Sequence, residues 1–287
     1  MTRPDMMQLE MPAPRAFGWA LKSTETTHFA IHTRPNGQVC VVLNHALLRG
    51  CRAEMIHWWF RAFATREVMF VDVPGYVGAR APAYLLWHPS DHHSARLSGR
   101  LDGDGGARAG ATIHIREAMQ YDRYGWAYPV DTRLKIHYVD GDGWAMGRSI
   151  PLFGPVMMLR IHFKDVFEDG RHIGAHYHYE VVIGVSADTA VARMINAKVT
   201  SKFGSEFFGA WHLHNTIEVG VFENFLPALF EQRDEDILRY SLDMDASPGA
   251  PDRQSGFDRA LFEARLAAYR AASDPYEVQG RARPGVL

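Results

Sequence analysis

Cysteine is scarce: Cys40 and Cys51 are the only two in 287 residues. Neither belongs to a CxxC pair, so no disulfide framework and no thiolate zinc site is available. Any metal bound here must therefore use His and carboxylate ligands. A basic field is lacking too, because 31 Lys and Arg stand against 33 Asp and Glu with no Lys/Arg-rich run, which argues against a nucleic-acid partner. No apolar stretch reaches the length of a membrane span, and residues 1–19 carry acids and prolines where a signal peptide needs an uninterrupted apolar run. The expectation is a cytoplasmic protein with no membrane partner. What the chain does hold is 47% hydrophobic residues, ample for a core, and 15 histidines.

Residues 1–37 are Pro-punctuated, and QVCVVLNHALL (38–48) reads as a short strand entering a turn. AEMIHWWFRAFA (53–64) follows as a packing helix, with Met55, Trp58, Trp59 and Phe60 at helical spacing. Pro and Gly then rise across 67–93, which reads as irregular structure, the usual place for site residues. From residue 95 the period changes to two, and segments such as ATIHIRE, TRLKIHYV and HYHYEVVIGV, separated by DGDG and EDG turns, make an antiparallel meander. Helical spacing returns over 188–203 and 205–232, where Pro227 should kink the last turns. A linker at 246–256 and an amphipathic helix at 257–272 complete the chain. The expected fold is α+β, an antiparallel sheet closed over a long late helix. Its divisions would be a mostly helical region at 1–85, the sheet-and-helix domain at 86–245, and a linker with a last helix at 246–287.

Three sets of polar residues are candidates for chemistry. HLHNTIEVGVFENFLPALF (212–230) sets His214 four residues before Glu218, stacking an imidazole on a carboxylate along an apolar helix. Chance supplies such a spacing about once in a chain this rich in His and Glu, so its weight depends on further ligands. In ATIHIRE, alternation puts Glu117 on the face of Ile113 and Ile115, a place for either a solvated strand end or a carboxylate facing a cation. YLLWHPSDHH clusters His88, His92 and His93 beside Asp91, which could fix the tautomer of an imidazole ligand. The residues alone do not choose among the three histidines. A rival reading takes GRHIGAHYH as the start of a cupin-like metal strand, although Glu180 follows His178 too closely for that pattern. Alternation sets His176, His178 and Glu180 opposite Tyr177 and Tyr179.

Taken together, WHPSDH, the strand Glu117 and HNTIEVGVFENFLPALF resemble the 2,4-diacetylphloroglucinol hydrolase and phloretin hydrolase family, over about residues 50–232. The resemblance implies a START-like, birch-pollen-allergen-type helix-grip fold and a zinc-dependent hydrolase that removes an acyl group from a phloroglucinol-type ring. It implies zinc held by His92, Glu117, His214 and Glu218, with His88 as the alternative loop ligand. Tyr84, eight residues before His92, would bind substrate, and His88 and Tyr177 would assist in orientation and proton transfer.

Zinc with two imidazoles and two carboxylates keeps a water whose pKa it lowers toward neutrality, and it polarises a carbonyl, so water can add to an aryl ketone. The competing expectation is a non-catalytic or cyclase-like helix-grip protein that binds an aromatic polyketide without metal. Either way the partner is a small aromatic molecule, and the oligomeric state is open, a homodimer included.

Overall fold

The computed structural model describes residues 17–19, 21–242 and 244. The linker and helix expected at 246–272 lie outside them. Among the described residues nine strands form one antiparallel sheet, in the order β1-β2-β11-β10-β9-β8-β7-β6 with β3 beside β11. They are β1 (Thr27–Thr33), β2 (Val39–His45), β3 (Leu48–Arg49), β6 (His92–Ser98), β7 (Thr112–Ala118), β8 (Pro129–Asp140), β9 (Gly143–Ile150), β10 (Gly154–Glu168) and β11 (Arg171–Ile183). A second, three-stranded sheet joins β4 (Glu67–Phe70), β5 (Arg80–Pro82) and β12 (Leu238–Tyr240).

The meander follows from local chemistry. Between β10 and β11 the two loop residues Asp169 and Gly170 both take positive φ, 50° and 76°, the backbone of a type I′ turn that an Asp-Gly pair accepts at little cost. Along β11 the alternation then buries Tyr177, Tyr179, Val181 and Ile183 on the concave face.

That face closes on two consecutive helices, α3 (Ser205–Gly220) and α4 (Phe222–Phe230), preceded by α2 (Ala190–Thr200). Tyr179 meets Trp211 edge-on at 5.4 Å, which ties the sheet to α3. Since α3 is buried on most of its sides from Phe208 to Gly220, it carries apolar side chains almost all round, as an enclosed helix must. The break between α3 and α4 falls at Val221, and Pro227 sits inside α4, so the interruption lies N-terminal of the position expected from proline alone. Helix α1 (Ala53–Ala62) packs inside the same core, with Phe60 at 4.6 Å from Trp144 of β9 and Trp59 at 4.9 Å from Phe225 of α4.

The fold is thus the antiparallel sheet wrapped on a late helix that was expected, in the helix-grip arrangement. The division at residue 85 does not match it. Strands β1 and β2 of the supposedly helical region complete the main sheet, with Val39–Asn44 registered against His178–Ile183, and α1 shares their core. The signal was weak because β1 is a half-exposed edge strand whose side chains do not alternate cleanly. The segment read as irregular at 67–93 likewise holds β4 and β5, whose pairing with the distant β12 is invisible in local pattern. No helix among the described residues is long and apolar enough to cross a membrane.

Candidate metal centre

Four side chains from three separated segments converge at the closed end of the fold. A helical turn, Tyr84–Trp87, leads into β6, which begins at His92. His92 pairs directly with Glu117 of β7, and a register shift between His92 and Ser94 leaves His93 as an extra residue. This bulge decides which histidine faces inward, because it brings His92 to the side of Glu117 while His93 is only half buried and bonds Ser94. From α3 come His214 and Glu218, one helical turn apart.

The donor atoms stand close together. Nε2 of His214 is 3.3 Å from Oε2 of Glu218 and 3.8 Å from Oε2 of Glu117, and Nε2 of His92 is 3.7 Å from that same Glu117 oxygen. His92, His214 and Glu218 offer ligand atoms all within 4.8 Å of one another. Donors on a tetrahedral zinc with bonds of about 2.0–2.1 Å lie roughly 3.3 Å apart, so modest inward movement would satisfy the ion.

Hydrogen bonds set the imidazoles for that role. Nδ1 of His92 donates to the carbonyl of Tyr84 at 2.8 Å, and Nδ1 of His214 donates to Oδ2 of Asp91 at 2.9 Å. In its neutral form each ring would then turn an Nε2 lone pair toward the cluster. Asp91 is wholly buried, and its carboxylate also accepts from the backbone N–H groups of Gln120 and Tyr121 and from the hydroxyl of Ser90. Burial alone would raise its pKa, but His88, His214 and the Gln120 amide outweigh that and bring it to about 2.

The carboxylates are positioned as well. Tyr84 stacks flat on His92 at 3.9 Å and donates its hydroxyl to Oε2 of Glu117 at 2.6 Å. Asn215 donates to Oε2 of Glu218 at 3.4 Å and accepts from Nε2 of His45 at 3.0 Å.

Electrostatics favours a cation at this place. Burial pushes the Glu117 carboxyl above its ordinary range, only partly opposed by His214. For His214, burial disfavours the imidazolium, yet Glu117, Asp91 and Glu218 together hold its pKa well above the usual value. A group of carboxylates this deep is costly without positive charge, and a divalent ion would supply what a proton on His214 supplies in its absence. The residues fit zinc on three counts: an all N/O donor set, fixed tautomers and donor spacing.

The cluster opens onto one cavity of about 510 Å³, whose wall includes Tyr84, Glu117, Tyr177, His214, Asn215 and Glu218. Burial, then the charge of Glu218, raises the Tyr177 hydroxyl well above its ordinary pKa, so it stays a neutral donor.

His88 is buried and, like His92, does not line the cavity. Its Nδ1 accepts from the amides of Ser90 and Asp91, so Nε2 carries the proton and points at Oδ2 of Asp91, 3.4 Å away. It stacks on His214 at 4.8 Å. That geometry makes it a support for Asp91 and corrects its expected role in orienting substrate. His176 is exposed, and His178 and Glu180 share its outward face, so the cupin-like strand is not built. The sequence reading missed Asn215 and His45, although Asn215 stands three residues before Glu218 on the same helix, a spacing that lets an amide reach a carboxylate.

No protein-family model matches the chain, and neither does any curated protein. Solved structures similar to it include protein Ms6760 from Mycobacterium smegmatis, at 15% identity and a TM-score of 0.35, covering 67% of this chain and 96% of that one. Ara h 8.0201 is similar at 12% identity and a TM-score of 0.31, covering 68% and 98%. CalU16 from Micromonospora echinospora is similar at 10% identity and 0.30, covering 73% and 94%. Likeness at this level says nothing of ligand or activity.

Proposed function

We propose that this chain is a zinc-dependent hydrolase that cleaves the carbon–carbon bond between an acyl group and a phloroglucinol-type phenolic ring. The observation that carries the reading is the convergence of His92, Glu117, His214 and Glu218 at the end of an apolar cavity walled by tyrosines. The likeness of WHPSDH and HNTIEVGVFENFLPALF to acylphloroglucinol hydrolases points the same way.

Zinc, when bound, would polarise the aryl ketone and make water nucleophilic near neutral pH. In the net reaction water delivers its hydroxyl to the acyl carbon and a proton to the ring carbon, so a carboxylic acid and the deacylated phenol leave. The protein's own part is orientation. Tyr177 is a neutral hydroxyl donor for a phenolic oxygen, and Tyr84 holds Glu117 in place through its 2.6 Å hydrogen bond. The surrounding aromatic wall keeps bulk water from the reacting bond.

Elemental analysis of protein purified without added metal, paired with a cleavage assay on a monoacylphloroglucinol, tests the proposal. About one zinc per chain and release of the free acid are expected. A folded, metal-free protein that binds an aromatic ligand without cleaving it would replace this reading with that of a carrier.

A further inference from the structure

The cavity that begins at the metal cluster runs to the surface, and its two ends differ. At the closed end the wall is aromatic, with Phe60, Phe63, Trp87 and Trp144 all buried. From there the inner faces of β9, β10 and β11 lay down an aliphatic track through Met146, Leu159, Val181 and Ile183, faced from the helical side by Phe203 and Phe207. The exposed wall residues are Arg148, at the end of β9, and Lys202, just after α2. Among the described residues neither cation takes part in an ion pair. The remaining charged wall residue outside the cluster, Asp131, is held by His114 at 2.5 Å and by Arg116 at 3.5 Å, so it does not neutralise them.

About 510 Å³ is more room than a phenol ring with a two-carbon acyl group fills, and it lies in the range that encloses drug-sized ligands. With the flat ring in the aromatic end and the ketone at the cluster, the acyl arm must extend along the aliphatic track toward the cations. We infer that the substrate is an acylphenol whose acyl arm is long and apolar and ends in a carboxylate, received at the mouth by Arg148 and Lys202. This specificity rests on the hydrolase reading above.

The test uses zinc-loaded full-length protein and ketones built on one trihydroxyphenyl ring: acetyl, a medium-length alkanoyl, and the same alkanoyl ending in a carboxylate. The alkanoyl ketone should show a KM at least about tenfold below the acetyl one, since each buried methylene discriminates by that order. The terminal carboxylate should lower KM a further two- to fivefold or so, the range open to exposed charge pairs. Arg148→Ala with Lys202→Ala should remove only that last gain and leave kcat/KM for the acetyl ketone unchanged. Equal KM values for the three ketones would overturn the inference, and so would a double variant that handles the carboxylate ketone like the unmodified protein. If no ketone is cleaved, the hydrolase reading fails. Binding of the carboxylate-tipped ketone, followed by quenching of the wall tryptophans, then decides this one: binding weakened in the double variant sustains the anionic mouth, and unchanged binding sinks it.

Discussion

His214 donates from Nδ1 to Oδ2 of Asp91 at 2.9 Å, and the two residues come from segments 123 positions apart. The bond fixes the histidine tautomer, so Asp91→Asn should weaken zinc binding by about 10- to 100-fold. Because Asp91 also anchors the Gln120 and Tyr121 amides, the same variant should lose about 1–3 kcal/mol of stability. Competition with a fluorescent zinc chelator and urea unfolding measure the two effects separately. Unaltered zinc affinity would show that the hydrogen bond does not prepare the ligand.

His92 and His88 are expected to separate cleanly. His92 faces Glu117 across the β6–β7 pair, whereas His88 faces Asp91 from behind. His92→Ala should lose the metal, and His88→Ala should retain most of it while lowering the thermal midpoint. Zinc content of both variants, read by mass spectrometry, checks this assignment. The opposite pattern would place the loop ligand at His88.

Glu117→Gln and Glu218→Gln should each reduce zinc occupancy and abolish ketone cleavage while leaving the far-ultraviolet circular dichroism of the sheet unchanged. The amide removes one negative charge from a buried cluster and offers a weaker ligand atom. Full metal together with unaltered turnover in either variant would remove that residue from the ligand set.

Tyr177→Phe deletes a hydroxyl on the cavity wall without disturbing a ligand. Zinc content should stay at the level of the unmodified protein while kcat falls by about 10²- to 10⁴-fold, the scale of a lost proton-donating group. A pure packing role predicts unchanged kcat with reduced stability, so the pair of measurements tells them apart.

His45 supplies a pH signature. Burial lowers its pKa from 6.5 to about 3 while its Nε2 donates to Asn215. The unfolded chain therefore takes up a proton near pH 6.5 that the folded protein refuses. This contribution to stability is complete above pH 6.5 and is lost as the pH falls toward 3, by up to about 1.4 kcal/mol per pH unit. His45→Gln should flatten the difference in unfolding free energy across that interval. Parallel pH profiles for the two proteins would show that His45 does not titrate in this way.

The local pattern by itself determined the meander, because period-two alternation and Asp-Gly turns act between neighbours, and it determined the i,i+4 pair His214 and Glu218, because helical periodicity alone places them on one face. It also set Glu117 beside Ile113 and Ile115, a parity the strand keeps in the folded protein. Tertiary structure decided the rest. Which of the neighbouring His92 and His93 turns inward depends on a bulge created by pairing with β7. The hydrogen bonds of Asp91 to His214 and of His45 to Asn215 span 123 and 170 residues, beyond the reach of any local period. The place of β2 beside β11, with β1 outside it, follows from burial of one shared core, a free energy that belongs to the whole sheet and to no single segment.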